Sequence, residues 1–135
     1  MNKKRMILIA VLAVLILTAI FLGQNQTAQE TEIDVWECDI SLLRREIENF
    51  PYEGNVGPVP DAETAIARAK ELWLEKYGVV NGKPYDPTRG CPISVGYDEE
   101  NDCWAVNGTL PENAIGSVPF AIIQRDGTVL AVGMA

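Results

Sequence analysis

Apolar and polar positions divide the chain into two unlike parts. Met6–Leu22 is an apolar run broken only by Thr18, and Lys3, Lys4 and Arg5 stand in front of it. A basic start before an apolar stretch reads as a signal peptide or a signal anchor. As a helix rising 1.5 Å per residue the run spans about 26 Å, a little short of a ~30 Å hydrocarbon core. It also exceeds the roughly 7–15 apolar residues of a cleaved signal, and no clean small-x-small cleavage site follows it. Residues 1–23 are therefore read as a signal anchor that enters the membrane through residues 6–22, with a cleaved signal peptide as the alternative. Cations before the span keep the N-terminus in the cytoplasm and send the rest of the chain outside. That places the domain in a bacterial cell envelope, or secretes it if the segment is cleaved. Residues 24–31 (QNQTAQET) are polar, lack periodicity and form a short tether.

Residues 32–135 alternate on shorter periods. Asp39 is placed to cap a helix running to about Asn49, with Leu42, Leu43, Ile47 and Phe50 on one face and Pro51 as the stop. Residues 51–60 (PYEGNVGPVP) are too rich in Pro and Gly for regular structure. Asp61 then opens the strongest helix of the chain. Ala62, Ala65, Ile66, Ala69, Leu72, Trp73 and Tyr77 recur at spacings of three and four, and Gly78 supplies the stop. Asn81-Gly82 is a turn signal. Ile93, Val95 and Tyr97 alternate as a strand, Asp98–Asp102 forms a polar hairpin loop, and Trp104, Val106 and Leu110 mark the return strand. Val118–Gln124 is a third strand with Pro119 near its start. Arg125-Asp126-Gly127 is a tight turn into a fourth strand, residues 128–134. There Val129, Ala131 and Gly133 face one way, and Leu130, Val132 and Met134 the other. Two helices followed by about four antiparallel strands predict an α+β domain over 32–135, with helix packed on one face of a meander.

Charge narrows the function. The chain carries 11 Lys+Arg, 19 Asp+Glu and a formal net charge of −8. Three of the basic residues and none of the acidic ones lie in residues 1–23, so the remainder carries −11. Nucleic acid is excluded as a partner, because that binding is driven by cations neutralising phosphates. Anionic headgroups are disfavoured for the same reason. The chain holds no histidine, which removes His-based triads and imidazole proton shuttles. A catalytic cysteine is not expected without a histidine partner. Cys38, Cys91 and Cys103 form no CxxC pair, and no cofactor or metal site is expected. In an exported domain disulfides can form. Cys91 and Cys103 lie on neighbouring predicted strands, though not directly opposite, and are one candidate pair. Cys38 with either of them, or three free thiols, are the alternatives.

Asp98, Glu99, Glu100, Asn101 and Asp102 form the densest acidic cluster. It lacks the alternate ligands, central Gly and distal Glu of a calcium loop. Asp98, Glu99, Glu100 and Asp102 are instead read as candidate contacts for a basic protein partner, against the plainer reading of a solvated hairpin tip. Trp73, Tyr77, Tyr85, Tyr97 and Trp104 are core residues or the lining of an apolar pocket. Asp86 beside Tyr85 is a candidate proton acceptor should the two converge on a substrate.

Several segments together resemble one family. They are Val59–Gly78 (VPDAETAIARAKELWLEKYG), Lys83-Pro84-Tyr85, Asp102–Pro111 (DCWAVNGTLP) and Val118–Leu130 (VPFAIIQRDGTVL). The pattern is similar to that of the NTF2-fold immunity proteins of bacterial polymorphic toxin systems and covers 59–135. Ile115-Gly116-Ser117 stands where that pattern tends to have a Gly-Gly pair. The resemblance implies a cone-like NTF2-type domain, with two helices packed on a curved antiparallel sheet of about four strands. It further implies a non-enzymatic role: binding a cognate toxin, usually encoded beside it, and blocking that toxin sterically and electrostatically. The motif residues are apolar, capping or turn-forming, so no catalytic residue is carried over. An acidic inhibitor suits a toxin with a basic, nucleic-acid-cutting cleft, whereas an outward-facing domain suits a toxin acting at the envelope. Two other readings stand beside this one. The first is an envelope module resembling PepSY-type domains that binds or inhibits a peptidase, since these too combine a helix, a W-x-V strand and a D-G hairpin. The second is a small NTF2-like enzyme.

Overall fold

The computed structural model describes residues 32–135, of which Ile33–Ala135 form one compact unit. The predicted anchor (1–23) and the tether (24–31) lie outside the described residues. Among the described residues, no helix is long and apolar enough to cross a membrane.

The strands run β1 (Val35–Glu37), β2 (Val79–Val80), β3 (Lys83–Pro84), β4 (Ile93–Asp98), β5 (Cys103–Gly108), β6 (Pro119–Gln124) and β7 (Val129–Met134). The helices are a 3-10 turn at Ile40–Leu43, α1 (Arg44–Asn49) and α2 (Ala62–Tyr77). The main sheet has the order β1-β4-β5-β6-β7, and β2 and β3 form a separate two-stranded ribbon. The four expected meander strands are present and antiparallel to one another. The sheet is nevertheless mixed and five-stranded, because β1 joins β4 in parallel, with Trp36 beside Gly96. This corrects the cone-like NTF2-type domain on an all-antiparallel sheet. Three residues are too few to show a strand period, so Val35–Glu37 reads as loop until β4 pairs with it.

The sheet is apolar on both faces, and the two faces have different covers. Val95, Trp104, Val106, Ala121, Ile123, Val129 and Val132 meet Ala65, Ala69, Leu72 and Trp73 of α2. Cys103, Phe120, Ile122 and Ala131 meet Ile40, Leu43, Ile47 and Phe50. The helices therefore lie on opposite faces, not together on one. The expected alternation in β7 also breaks. The β6–β7 register pairs Ile122 with Ala131 and Ile123 with Val129, leaving Leu130 as an extra residue. A bulge of this kind shifts the facing pattern. Val129 and Val132 thus share the α2 face, while Leu130 and Ala131 share the other.

Local chemistry explains the element ends. Asp61 accepts a 2.7 Å hydrogen bond from the Thr64 N–H and so satisfies a free donor at the start of α2. Asn81 and Gly82, both at positive φ, make the two-residue turn between β2 and β3. Asp39 caps the 3-10 turn rather than an α-helix, accepting from the Ser41 N–H at 3.0 Å. With three residues per turn, Ile40 and Leu43 align and Leu42 is thrown outward. Leu42 is 80% exposed, so it leaves the apolar face assigned to it.

The Pro- and Gly-rich segment 51–60 closes an edge. Bridges pair Pro51 with Ala131 and Asn55 with Thr128. The Val129 N–H donates to the Gly54 carbonyl (3.0 Å), and the Val56 N–H to the Gly127 carbonyl (2.9 Å). An irregular chain with few free donors blunts β7 as a pairing template. At the opposite edge, β1 is exposed along its length.

Asp61→Ala should lower unfolding stability, because it removes the side-chain acceptor for the Thr64 N–H at the start of α2. Urea denaturation measures it, and an unchanged midpoint would show that packing alone holds the first turn of α2.

Candidate functional site

The acidic hairpin is split by the pleat of the sheet. Asp98 ends β4 and is only 3% exposed. Its Oδ2 accepts from the Ile40 N–H (2.9 Å) and from the Asn101 side-chain amide (2.8 Å). Its Oδ1 accepts from the Asn101 N–H at 3.0 Å. Burial alone would raise the Asp98 carboxyl, but hydrogen bonds from the Asn101 side chain and from the Ile40, Asn101 and Glu100 N–H groups hold it below the ordinary carboxylate range. This carboxylate pins the N-terminal segment to the hairpin and has little left to offer a partner. Asp102 sits at positive φ, accepts from the Tyr97 hydroxyl and lies 3.8 Å from the Arg125 guanidinium. Glu99 and Glu100 are exposed. Asp102 is exposed as well, but its carboxylate is shared with Tyr97 and Arg125, so Glu99 and Glu100 are the two exposed carboxylates without such partners.

They share a hollow with Trp36 and Glu37, two residues without a role in the hydrophobic pattern. The hollow, of about 390 Å³, is lined by Glu99, Glu100, Tyr97, Trp36, Glu37 and Asp39, among others. Trp36 is 43% exposed. Its Nε1–H donates to Ser94 Oγ at 2.9 Å, which fixes the ring against the sheet. Gly96 makes this close approach feasible: a Cβ there would lie 2.7 Å from the indole. Exposed Val35 and Leu42 flank it. Trp36 thus borders a hollow whose rim also includes Glu37, Asp39, Glu99 and Glu100. The one signal available in the sequence was a tryptophan inside the acidic stretch EIDVWECD.

The three cysteines are free thiols. Asp98 pairs with Cys103 at one end of the β4–β5 hairpin, whereas Cys91 precedes Ile93 at the other. Six residues of strand put about 17 Å between those ends, well beyond the ~7 Å Cα limit of a disulfide. The candidate Cys91–Cys103 pair is therefore not brought together. Cys38 sits across Asp98 from Cys103, one strand too far for a bridge. Burial above all, then the charge of Asp98, pushes the Cys103 thiol up to about 12.

A second cleft, of about 770 Å³, lies at the C-terminal end of α2, where Trp73, Leu74, Pro84, Tyr85, Asp86 and Ile93 meet. Tyr85 and Trp73 thus share a cavity wall, while Tyr97 and Trp104 pack against each other with ring centroids 4.5 Å apart and planes tilted by 45°. Trp104 Nε1–H donates to the Val59 carbonyl at 2.9 Å. Asp86 is committed to its own turn, accepting from the Thr88 hydroxyl (2.6 Å) and N–H (2.9 Å). These bonds, with smaller help from the Gly90 N–H and Lys70, hold its carboxyl below the ordinary range. A proton acceptor poised near neutrality needs the opposite shift. Among the described residues, no cluster of three or more Cys, Asp and Glu side chains could hold a metal ion.

Asp98→Asn should destabilise the fold by about 1–3 kcal/mol, the usual loss for a buried charge-assisted network. The folded-state pKa of Asp98 is depressed, so its stabilisation is present above the unfolded value of about 3.9 and is lost as pH falls through the lower folded value. The gap between wild type and variant should therefore close below about pH 4, as followed by denaturation at stepped pH. A gap that persists at low pH would reject the ionised carboxylate as its source. Iodoacetamide at pH 8 should label half-buried Cys91 while Cys103 stays unmodified until unfolding, as read by peptide mass spectrometry. Labelling of Cys103 in the native state would show that β5 opens locally. No family model matches the chain, and no curated protein or solved structure is significantly similar to it.

Proposed function

We propose that the chain is an immunity protein that binds a cognate bacterial toxin and blocks it through the acidic surface around Trp36. The observation that carries this reading is the combination of an exposed, rigidly held tryptophan with the carboxylates of Glu37, Asp39, Glu99 and Glu100 around one hollow. Tryptophan is enriched among residues that dominate protein–protein binding, where a polar rim excludes water from it. Fixed by Ser94 and Gly96, the ring loses little freedom on docking. The carboxylates speed encounter with a cationic partner and set orientation. Occlusion needs no reacting group, which agrees with Asp86 and Asp98 being spent on structural hydrogen bonds.

Co-expression with the large neighbouring open reading frame in a sensitive host tests this reading, using the chain with and without residues 1–23. Rescue of growth, with co-purification of both proteins, is the expected outcome, and the form that rescues locates the toxin's action. A toxic neighbour that neither form restrains would sink the immunity reading and turn attention to peptidase inhibition. Replacing Glu37, Asp39, Glu99 and Glu100 by amides should slow association at least about 10-fold at low salt and flatten its salt dependence. Stopped-flow association across a salt series reads both effects. An unchanged salt slope would remove these carboxylates from the interface.

A further inference from the structure

The surface around Trp36 continues behind the ring into a groove of about 310 Å³. Ala105, Asn107, Phe120 and Ile122 form its floor, with Trp36 on one wall and Leu43 and Glu46 on the other. It exists because α1 has only six residues and β1 three, so together they leave part of this sheet face uncovered. The walls are apolar with one exception. Oε2 of Glu46 is buried and has no hydrogen-bond partner. Arg44, on the same helix, is already paired with Glu48 at 2.8 Å. A carboxylate oxygen shielded from water without a donor is costly, and a ligand that supplies N–H groups relieves that cost.

From this arrangement, and resting on the partner-binding reading above, we infer that the groove between Trp36 and Glu46 is an anchor pocket for an arginine side chain of the partner protein. The guanidinium meets both features at once. It stacks on an indole face by cation–π attraction, and its planar fork donates to a carboxylate in two parallel bonds. Its alkyl stem packs on the apolar floor of Ala105 and Phe120. The carboxylates of Glu37, Asp39, Glu99 and Glu100 on the adjoining hollow draw the cation toward the ring. Lysine fits less well, because a compact ammonium cannot fork onto Glu46 and stack on Trp36 together.

The full chain, in detergent and labelled with ¹⁵N at its indoles, is titrated with N-acetyl-argininamide and separately with the neutral isostere N-acetyl-citrullinamide. The expected result is a saturable shift of the Trp36 indole signal with the arginine probe. The Trp73 and Trp104 signals should stay in place, and the citrulline probe should bind at least about 10-fold more weakly. Glu46→Gln should weaken the arginine probe by a similar factor, with the Trp73 and Trp104 signals certifying its fold. Equal response to both probes, or undiminished binding in Glu46→Gln, overturns the pocket. The citrulline comparison decides the matter even if a variant fails to fold. A chain that binds the arginine probe but rescues no toxin keeps the pocket and loses the immunity reading. A chain that rescues growth, ignores the probe and still rescues as Trp36→Ala loses the pocket and keeps the reading.

Discussion

A sheet that is apolar on both faces must be covered twice, and among the described residues one helix is long enough to do it well. Sixteen residues of α2 lay Ala65, Ala69, Leu72 and Trp73 across the middle of one face. The small side chains let the helix approach closely, while Leu72 and Trp73 fill the space that remains. The second face is covered by a 3-10 turn, six residues of α1 and a three-residue strand. This cover is held by few bonds, of which those to the Asp98 carboxylate are the most buried. One aspartate therefore couples the β4–β5 hairpin to the start of the 3-10 turn.

The incomplete cover is where the proposed partner surface lies. A fully covered face would have hidden Trp36, and a bare one would have exposed a broad apolar patch, which invites aggregation. Instead a tryptophan lies over Gly96, one face against the sheet and the rest in solvent. The two edges of the sheet show the same division. Segment 51–60 closes the β7 edge with backbone bonds, whereas the β1 edge carries acidic residues and faces solvent. Charged side chains on an open edge discourage indiscriminate pairing while leaving room for a chosen partner.

Much of the α2 face was legible in advance. The stripe of α2, its Asp61 cap, the Asn81-Gly82 turn, the β4–β5 hairpin and the Arg125-Asp126-Gly127 turn all rest on local rules. Periodicity, capping and positive φ are properties of a few adjacent residues. Most of the errors were of long range. The parallel pairing of β1 joins residues about sixty positions apart, and no local pattern in three residues announces it. The bulge at Leu130 is a compromise between the β6 register and a three-residue turn. Leu42 was misplaced because a 3-10 turn shifts the helical phase by a fraction of a residue.

The candidate site divides along the same line. By itself the sequence determined that the domain is acidic, lacks imidazole and carries a carboxylate-rich hairpin, because composition and local turn chemistry do not depend on folding. Only the tertiary structure decided which carboxylates are free. Alternation along β4 turned Asp98 inward beneath Ile40, where hydrogen bonding consumes its charge, and left Glu99 and Glu100 outside. It likewise set Cys91 and Cys103 at opposite ends of a hairpin. Above all it carried Trp36 and Glu46, from an unpromising N-terminal stretch, onto the open face of strands drawn from the far half of the chain. A surface assembled from four strands and two short helical pieces has no signature in any one of them, since its geometry is a property of their packing.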